Sequence, residues 1–171
     1  PLDAARALGA NPNRGKARRR EPGRPRSKDM ERAVIRKVFR TVSHPGDSRR
    51  LAKEVVDYLA GHVADDDVLH DLDIILTEAC ANVCRHAYGG EPGPLEVRLA
   101  VNPGSWIELE IVDWGRGFGS GVRFENPGPD AEGGRGMYIM RMLASDCRVK
   151  HRNGENVVFI HKDIGAAQWK T

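Results

Sequence analysis

The stretch LEVRLAVNPGSWIELEIVDWGRG, residues 95–117, decides the fold. Leu95, Val97, Leu99 and Val101 alternate with Glu96 and Arg98; past the turn Asn102-Pro103-Gly104, Ile107, Leu109 and Ile111 alternate with Glu108 and Glu110. A period of two sends successive side chains to opposite faces, so the stretch reads as an antiparallel hairpin with one dry and one wet face. Asp113 keeps the parity of Ile107, Leu109 and Ile111 and is expected on the core side. An ionised carboxylate there is costly unless it finds donors, and the exocyclic amine of a ligand would be one. A bulge that turns Asp113 outward, or a turn-capping role, is the plain alternative.

Upstream, Ala33–Val42 is rich in β-branched and aromatic residues and suggests an edge strand, broken by His44-Pro45-Gly46. Asp47 or Ser48 can then cap a helix with Leu51, Val55, Tyr58 and Leu59 on one face and Gly61 at its C′ position. Asp65-Asp66-Asp67 opens a longer helix running to about Ala87, its carboxylates suited to the positive end of the helix dipole. Leu72, Ile75, Leu76, Ala79 and Val83 gather into its apolar stripe, and Gly89-Gly90 and Pro92-Gly93-Pro94 end it. Downstream of the hairpin a glycine-rich stretch, 115–136, leads to a short helix from Met137 to about Ala144. Two last strands, near Arg148–His151 and Val157–His161, flank the turn Arg152-Asn153-Gly154. Strands paired with near neighbours and helices on one face imply a two-layer α/β (α+β) sandwich with a mixed, mostly antiparallel sheet, not a doubly wound parallel one.

The candidate chemistry sits at the joints of this scheme. Glu78 and Asn82, four apart on the long helix, project about 40° from one another at the rim of the apolar face. Alone they would be a solvated acid and a rim amide. Gly115 and Gly117 let backbone approach a flat ligand closely, because no Cβ intervenes. Gly133-Gly134-Arg135-Gly136 stands just before a helix whose free N–H groups and dipole favour phosphate. No GxxxxGK[ST] loop occurs, and the dinucleotide fingerprint fails because Ser120 follows Gly117 by three.

Taken together and in this order, Glu-x-x-x-Asn on a helix, Asp-x-Gly-x-Gly after a strand and Gly-x-Gly before a helix resemble the GHKL ATPase superfamily with its Bergerat fold. Glu78-Ala79-Cys80-Ala81-Asn82 with His86-Ala87-Tyr88, and Gly133-Gly134-Arg135-Gly136-Met137, are similar to the anti-sigma factor serine kinases of the RsbW/SpoIIAB type. The resemblance spans roughly residues 33–162. It implies ATP and Mg²⁺ as cofactors, with Asn82 as the metal ligand and Glu78 as the catalytic base toward a serine hydroxyl. It further implies that Asp113 reads the adenine amine beside Gly115 and Gly117, and that Gly134, Gly136 and Met137 line the phosphates. The segment 119–132 then resembles an ATP lid. Arg135 is expected either on a phosphate oxygen or in solvent, His86 packed near the apolar stripe, and Trp114 packed beside the pocket. Lys53 lies near a position that the family uses to touch partners.

The implied function is an ATP-binding anti-sigma factor that phosphorylates a serine of a STAS-domain anti-anti-sigma protein and sequesters a sigma factor. The alternative is a module that switches partners on ATP without transferring phosphate. A homodimer is expected from the resemblance alone.

Composition is compatible with this reading. The chain has 171 residues, 40% hydrophobic and 30% charged, as a soluble domain requires. Neither an apolar run long enough for a membrane span nor a signal-peptide core is present, so a cytoplasmic protein without membrane contact is expected. Cys80, Cys84 and Cys147 form no CxxC pair and are expected buried and reduced. Residues 1–29 carry nine Lys/Arg against three acidic residues, and the rest of the chain is mildly acidic. That leader is expected to be a disordered basic extension of an ATPase domain at 30–171. It can meet nucleic acid by charge alone, and it lacks the interleaved aromatics that would argue for such a partner.

Overall fold

The structure, a computed structural model, describes residues 33–117 and 134–171. The basic leader 1–29 and the segment 119–132 expected as a lid lie outside the described residues. The elements run β1 (Ile35–Val42), α1 (Pro45–Leu59), α2 (Asp66–His86), β2 (Pro94–Asn102), β3 (Trp106–Asp113), α3 (Arg135–Leu143), β4 (Asp146–Arg152) and β5 (Glu155–Asp163). The strands form one sheet in the order β1-β2-β3-β5-β4, with β1 at an edge as expected and every pairing antiparallel. The β4–β5 turn places Asn153 and Gly154 at φ of 50° and 78°, the left-handed pair that a two-residue hairpin needs.

The α1 start differs from the expectation. His44, extended at φ −90° and ψ 140°, is the N-cap, and Pro45 opens the first turn. Pro45 therefore begins the helix rather than only ending the strand, because its fixed φ suits a first helical position and its missing N–H is not needed there. Asp47 and Ser48 lie inside the helix. The α2 start follows the acidic run: Asp65 caps it, accepting from the backbone N–H of Asp67 at 3.0 Å and of Val68 at 3.1 Å.

The core lies between the inner sheet face and the helices. Val97, Leu109, Ile111, Val158 and Ile160 meet Leu51, Val55, Leu72, Ile75, Leu76 and Ala79, all buried. Each large aliphatic side chain buried here is worth about 1.5–3 kcal/mol. Lys162 ends the inner row of β5 and ties three elements together, donating to Asp71 Oδ2 on α2 at 2.9 Å and to the Leu143 carbonyl at the end of α3 at 2.7 Å. The Leu143 contact sets a cation at a helix C-terminus, where the dipole favours it.

The outer face is less wet than the alternation suggests. Arg98 donates to Glu96 Oε1 at 2.6 Å and in bidentate fashion to Glu155 at 2.6 and 2.9 Å, while Arg40 meets Glu96 Oε2 at 2.7 Å and Arg152 meets Glu110 at 2.6 Å. This lattice lies on the face that carries Val112 and Val157, both at 0% exposure, and it leaves Glu96 itself buried. Hydrogen bonds from Arg98 hold the Glu155 carboxyl below the usual range.

Past β5 the chain returns to the helix layer. Trp169 bridges Val63 and is buried, and Gln168 donates to Asp65 Oδ2 at 2.7 Å.

Candidate functional site

Two groups of residues form along α2. The first lies on its middle turns. Glu78 and Asn82 face the start of α3, where Asn82 Nδ2 stands 3.7 Å from Met137 Sδ. A Cβ on Gly136 would lie 2.5 Å from Glu78 Oε2 and 3.7 Å from Asn82 Nδ2, so glycine lets the Glu78 carboxylate stand this close to the α3 backbone. Gly134 is the N-cap at φ 83° with no side-chain cap, and α3 starts at Arg135, two residues earlier than expected. The backbone N–H groups of Arg135, Gly136 and Met137 thus fall in the first turn, where no intrahelical acceptor exists. These donors and the helix dipole face an edge of α2 that carries a carboxylate and an amide.

Arg85, which the sequence reading did not select, completes this group. It lies one turn past Asn82, donates to Asn82 Oδ1 at 3.2 Å and to the Ala81 carbonyl at 3.2 Å, and stands 3.8 Å from Glu78 Oε2. Its spacing of three from Asn82 and seven from Glu78 was the available signal.

The second group lies where α2 ends. Asp113 is 4% exposed and points inward, as its parity required. Its donors come from the protein: the Gly115 N–H at 2.9 Å and Asn156 Nδ2 at 2.7 Å, both on Oδ1. Oδ2 accepts no hydrogen bond from a described residue. Gly115 sits hard against α2, for a Cβ there would lie 2.1 Å from the Ala87 carbonyl oxygen, and the Arg116 N–H donates to that same oxygen at 2.8 Å. Gly117 takes φ 82° beside Asn156. Tyr88 fastens the corner, donating to the Pro94 carbonyl at 2.6 Å and accepting from the Trp114 N–H at 2.9 Å. Burial pushes its phenol up.

The structure therefore brings Glu78, Asn82, Gly136 and Met137 together, and separately Asp113, Gly115 and Gly117, with Gly134 closing the start of α3. Arg135 lies at the exposed first position of that helix. His86 and Trp114 depart from expectation, both being exposed. His86 is the last residue of α2, and Ala87 takes the buried position instead. Cys80 and Cys147 are buried, but Cys84 is half-buried at 2.8 Å from Ser48 Oγ; all three are free thiols. Lys53 pairs with Asp57 at 3.0 Å in a groove of about 590 Å³ between α1 and α2 that holds none of the candidate site residues.

The donor set suits a magnesium nucleotide. Among the described residues no cluster of three or more His, Cys, Asp or Glu could cage a metal. Magnesium commonly keeps several waters and takes one or two protein oxygens plus substrate phosphates, and the Asn82 amide and Glu78 carboxylate offer such hard oxygens beside a phosphate-favouring helix start. Asn82 Oδ1 bonds Arg85, so a metal ion there would have to displace or share that contact.

Fold and site define a class, the histidine kinase-like ATPase domain: the chain belongs to this family, whose pattern matches residues 41–162. Within it the chain is 32% identical over 120 residues to the serine-protein kinase RsbW of Bacillus pumilus, covering 63% of this chain and 72% of that protein. It is 31% identical over 118 residues to the serine-protein kinase RsbW of Bacillus velezensis, with the same two shares of 63% and 72%. Among solved structures it is similar to the RsbU and RsbW domains of Rv1364c from Mycobacterium tuberculosis, with a TM-score of 0.53 at 16% identity over 75% of this chain and 31% of that one. At that identity the likeness bears on the fold alone.

Proposed function

We propose that this domain is an anti-sigma factor serine-protein kinase, which binds Mg-ATP and passes the γ-phosphate to a serine of a STAS-domain anti-anti-sigma protein. The observation that carries this reading is the Glu78 carboxylate, held against the start of α3 beside Asn82. A domain that only bound nucleotide would have no need of a base there. The serine Oγ–P bond would form as the bond from phosphorus to the ADP oxygen breaks, and the serine proton would pass to Glu78. Asn82 would hold the magnesium ion, which when bound supplies charge neutralisation across the phosphates. The first-turn N–H groups of Arg135, Gly136 and Met137 would cradle phosphate, and Asp113 would take the adenine amine on Oδ2, with Gly115 and Gly117 bordering the base. Such catalysis needs positioning and electrostatics more than covalent chemistry. Sequestration of a sigma factor, a homodimeric state and a cytoplasmic address follow from the likeness to RsbW.

Glu78→Gln tests the reading. It keeps shape and removes the base, so ATP should still bind while transfer of labelled phosphate to a cognate STAS protein stops. Transfer at the wild-type rate would remove Glu78 from this role, whereas ATP binding with no transfer by the wild-type protein would leave the non-catalytic switch as the better account.

A further inference from the structure

We propose that His151 sets the base selectivity of the site, acting through Asn156 on Asp113. The proposal rests on Asp113 as the reader of the adenine amine. Strands β3, β5 and β4 lie side by side, and their register puts Asp113 opposite Asn156 and Asn156 opposite His151. The three form one row across the inner face, from the buried carboxylate out to the exposed edge strand.

The hydrogen bonds along this row admit one arrangement. Asn156 Nδ2 faces two acceptors, Asp113 Oδ1 at 2.7 Å and the Gly115 carbonyl at 3.3 Å. An amide oxygen turned that way would meet lone pairs on both, so the NH₂ group belongs there. Asn156 is 1% exposed, and its oxygen must find a donor within the protein. That donor is His151, whose Nδ1 stands 2.9 Å from Asn156 Oδ1. The imidazole therefore carries its proton on Nδ1, the tautomer being set by the bond it makes. Glycine at 117 keeps this approach open, since a Cβ there would lie 3.0 Å from Asn156 Oδ1.

The consequence falls on Asp113. Its Oδ1 is occupied by Asn156 and by the Gly115 N–H, which fixes the carboxylate plane and leaves Oδ2 to face the ligand. A purine amine donates to such an oxygen; a purine carrying a carbonyl at the same carbon sets lone pairs against it. Sites built around a substrate donor reject the analogue that lacks it far more strongly than apolar pockets do. Without His151 the Asn156 amide can turn, and Asp113 loses the donor that orients it. His151 is thus a positioning residue, touching no ligand itself. Together with Arg116, Gly117 and Lys150 it lines a cleft of about 360 Å³.

The test compares binding of ADP and IDP, with Mg²⁺, to the full chain by titration calorimetry. Wild type should prefer ADP. His151→Leu should weaken ADP about tenfold and leave IDP unchanged, the scale of one lost orienting hydrogen bond. His151→Asn keeps a nitrogen donor near the Nδ1 position and should retain the preference. An unaltered ADP-to-IDP ratio in His151→Leu, or an equal loss for both nucleotides, would overturn the proposal. A long-range ¹H–¹⁵N correlation of His151 reads the hydrogen-bond row without nucleotide. Wild type should show the Nδ1–H form and Asn156→Leu the Nε2–H form; an Nε2–H wild type also overturns it. An Nδ1–H signal in a protein with no preference for ADP would instead break the reading of Asp113, and the proposal with it.

Discussion

Two glycines separate binding from stability at the level of single residues. Gly136 is inside a helix, where alanine is favoured by about 1 kcal/mol. Its added Cβ would meet only the far end of the Glu78 side chain, at 2.5 Å. Gly136→Ala should therefore melt no lower than wild type, yet lose at least about tenfold in nucleotide affinity, as calorimetry would show. Gly115 is the opposite case. Its Cβ would strike backbone, with the Ala87 oxygen at 2.1 Å and the carbonyl carbon at 2.5 Å, and neither can turn away. Gly115→Ala should cost about 1–3 kcal/mol in a urea melt, the usual scale of overpacking. The thiols make a third case. Burial pushes Cys80 and Cys147 up to about 12, so thiolate is scarce at neutral pH and iodoacetamide should modify neither in the folded protein. Because the folded values lie above the reference of 9.0, the native state binds more protons than the unfolded chain at alkaline pH. Stability should thus be intact below pH 9 and fall as pH rises toward 12.

At the level of elements, the outer sheet face gives a prediction in acid. The Glu155 carboxyl is depressed by its bonds to Arg98, so its contribution is present above its reference value of 4.5 and is lost as pH falls through the lower folded value. Glu155→Gln should flatten that acid limb, read as thermal midpoint against pH, and should lower stability at pH 7 only modestly, because the part-buried pair is still open enough for solvent to screen it. Much of this architecture was legible in the residues. Alternation announced β2 and β3, and Asp65-Asp66-Asp67 with the stripe Leu72 to Val83 announced α2 nearly to the residue. These are local signals. Pro45 carries two meanings, strand stop and helix start, and spacing could not choose between them. Asn156 was invisible for a different reason: its importance lies in standing opposite Asp113, and cross-strand register is not written within either strand. The lattice around Arg98 was hidden likewise, being assembled from all five strands.

At the scale of the whole molecule, the C-terminal return closes the helix layer. Trp169 is buried against the α1–α2 connection, its Nε1 donating to the Ile164 carbonyl at 3.2 Å. Trp169→Ala should cost about 3–5 kcal/mol, measurable by chemical denaturation, through lost contacts and a cavity. The sheet also joins segments that sequence keeps far apart. Hairpins β2–β3 and β4–β5 close over short turns, whereas Ile35 of β1 pairs with Val101 of β2 across both intervening helices. On a ribosome adding about 5–20 residues per second, β1 is translated several seconds before its partner. It must pass that interval as an unpaired ribbon, its backbone groups toward β2 open to other chains, so the length of the two-helix insertion sets how long the nascent strand is exposed to aggregation.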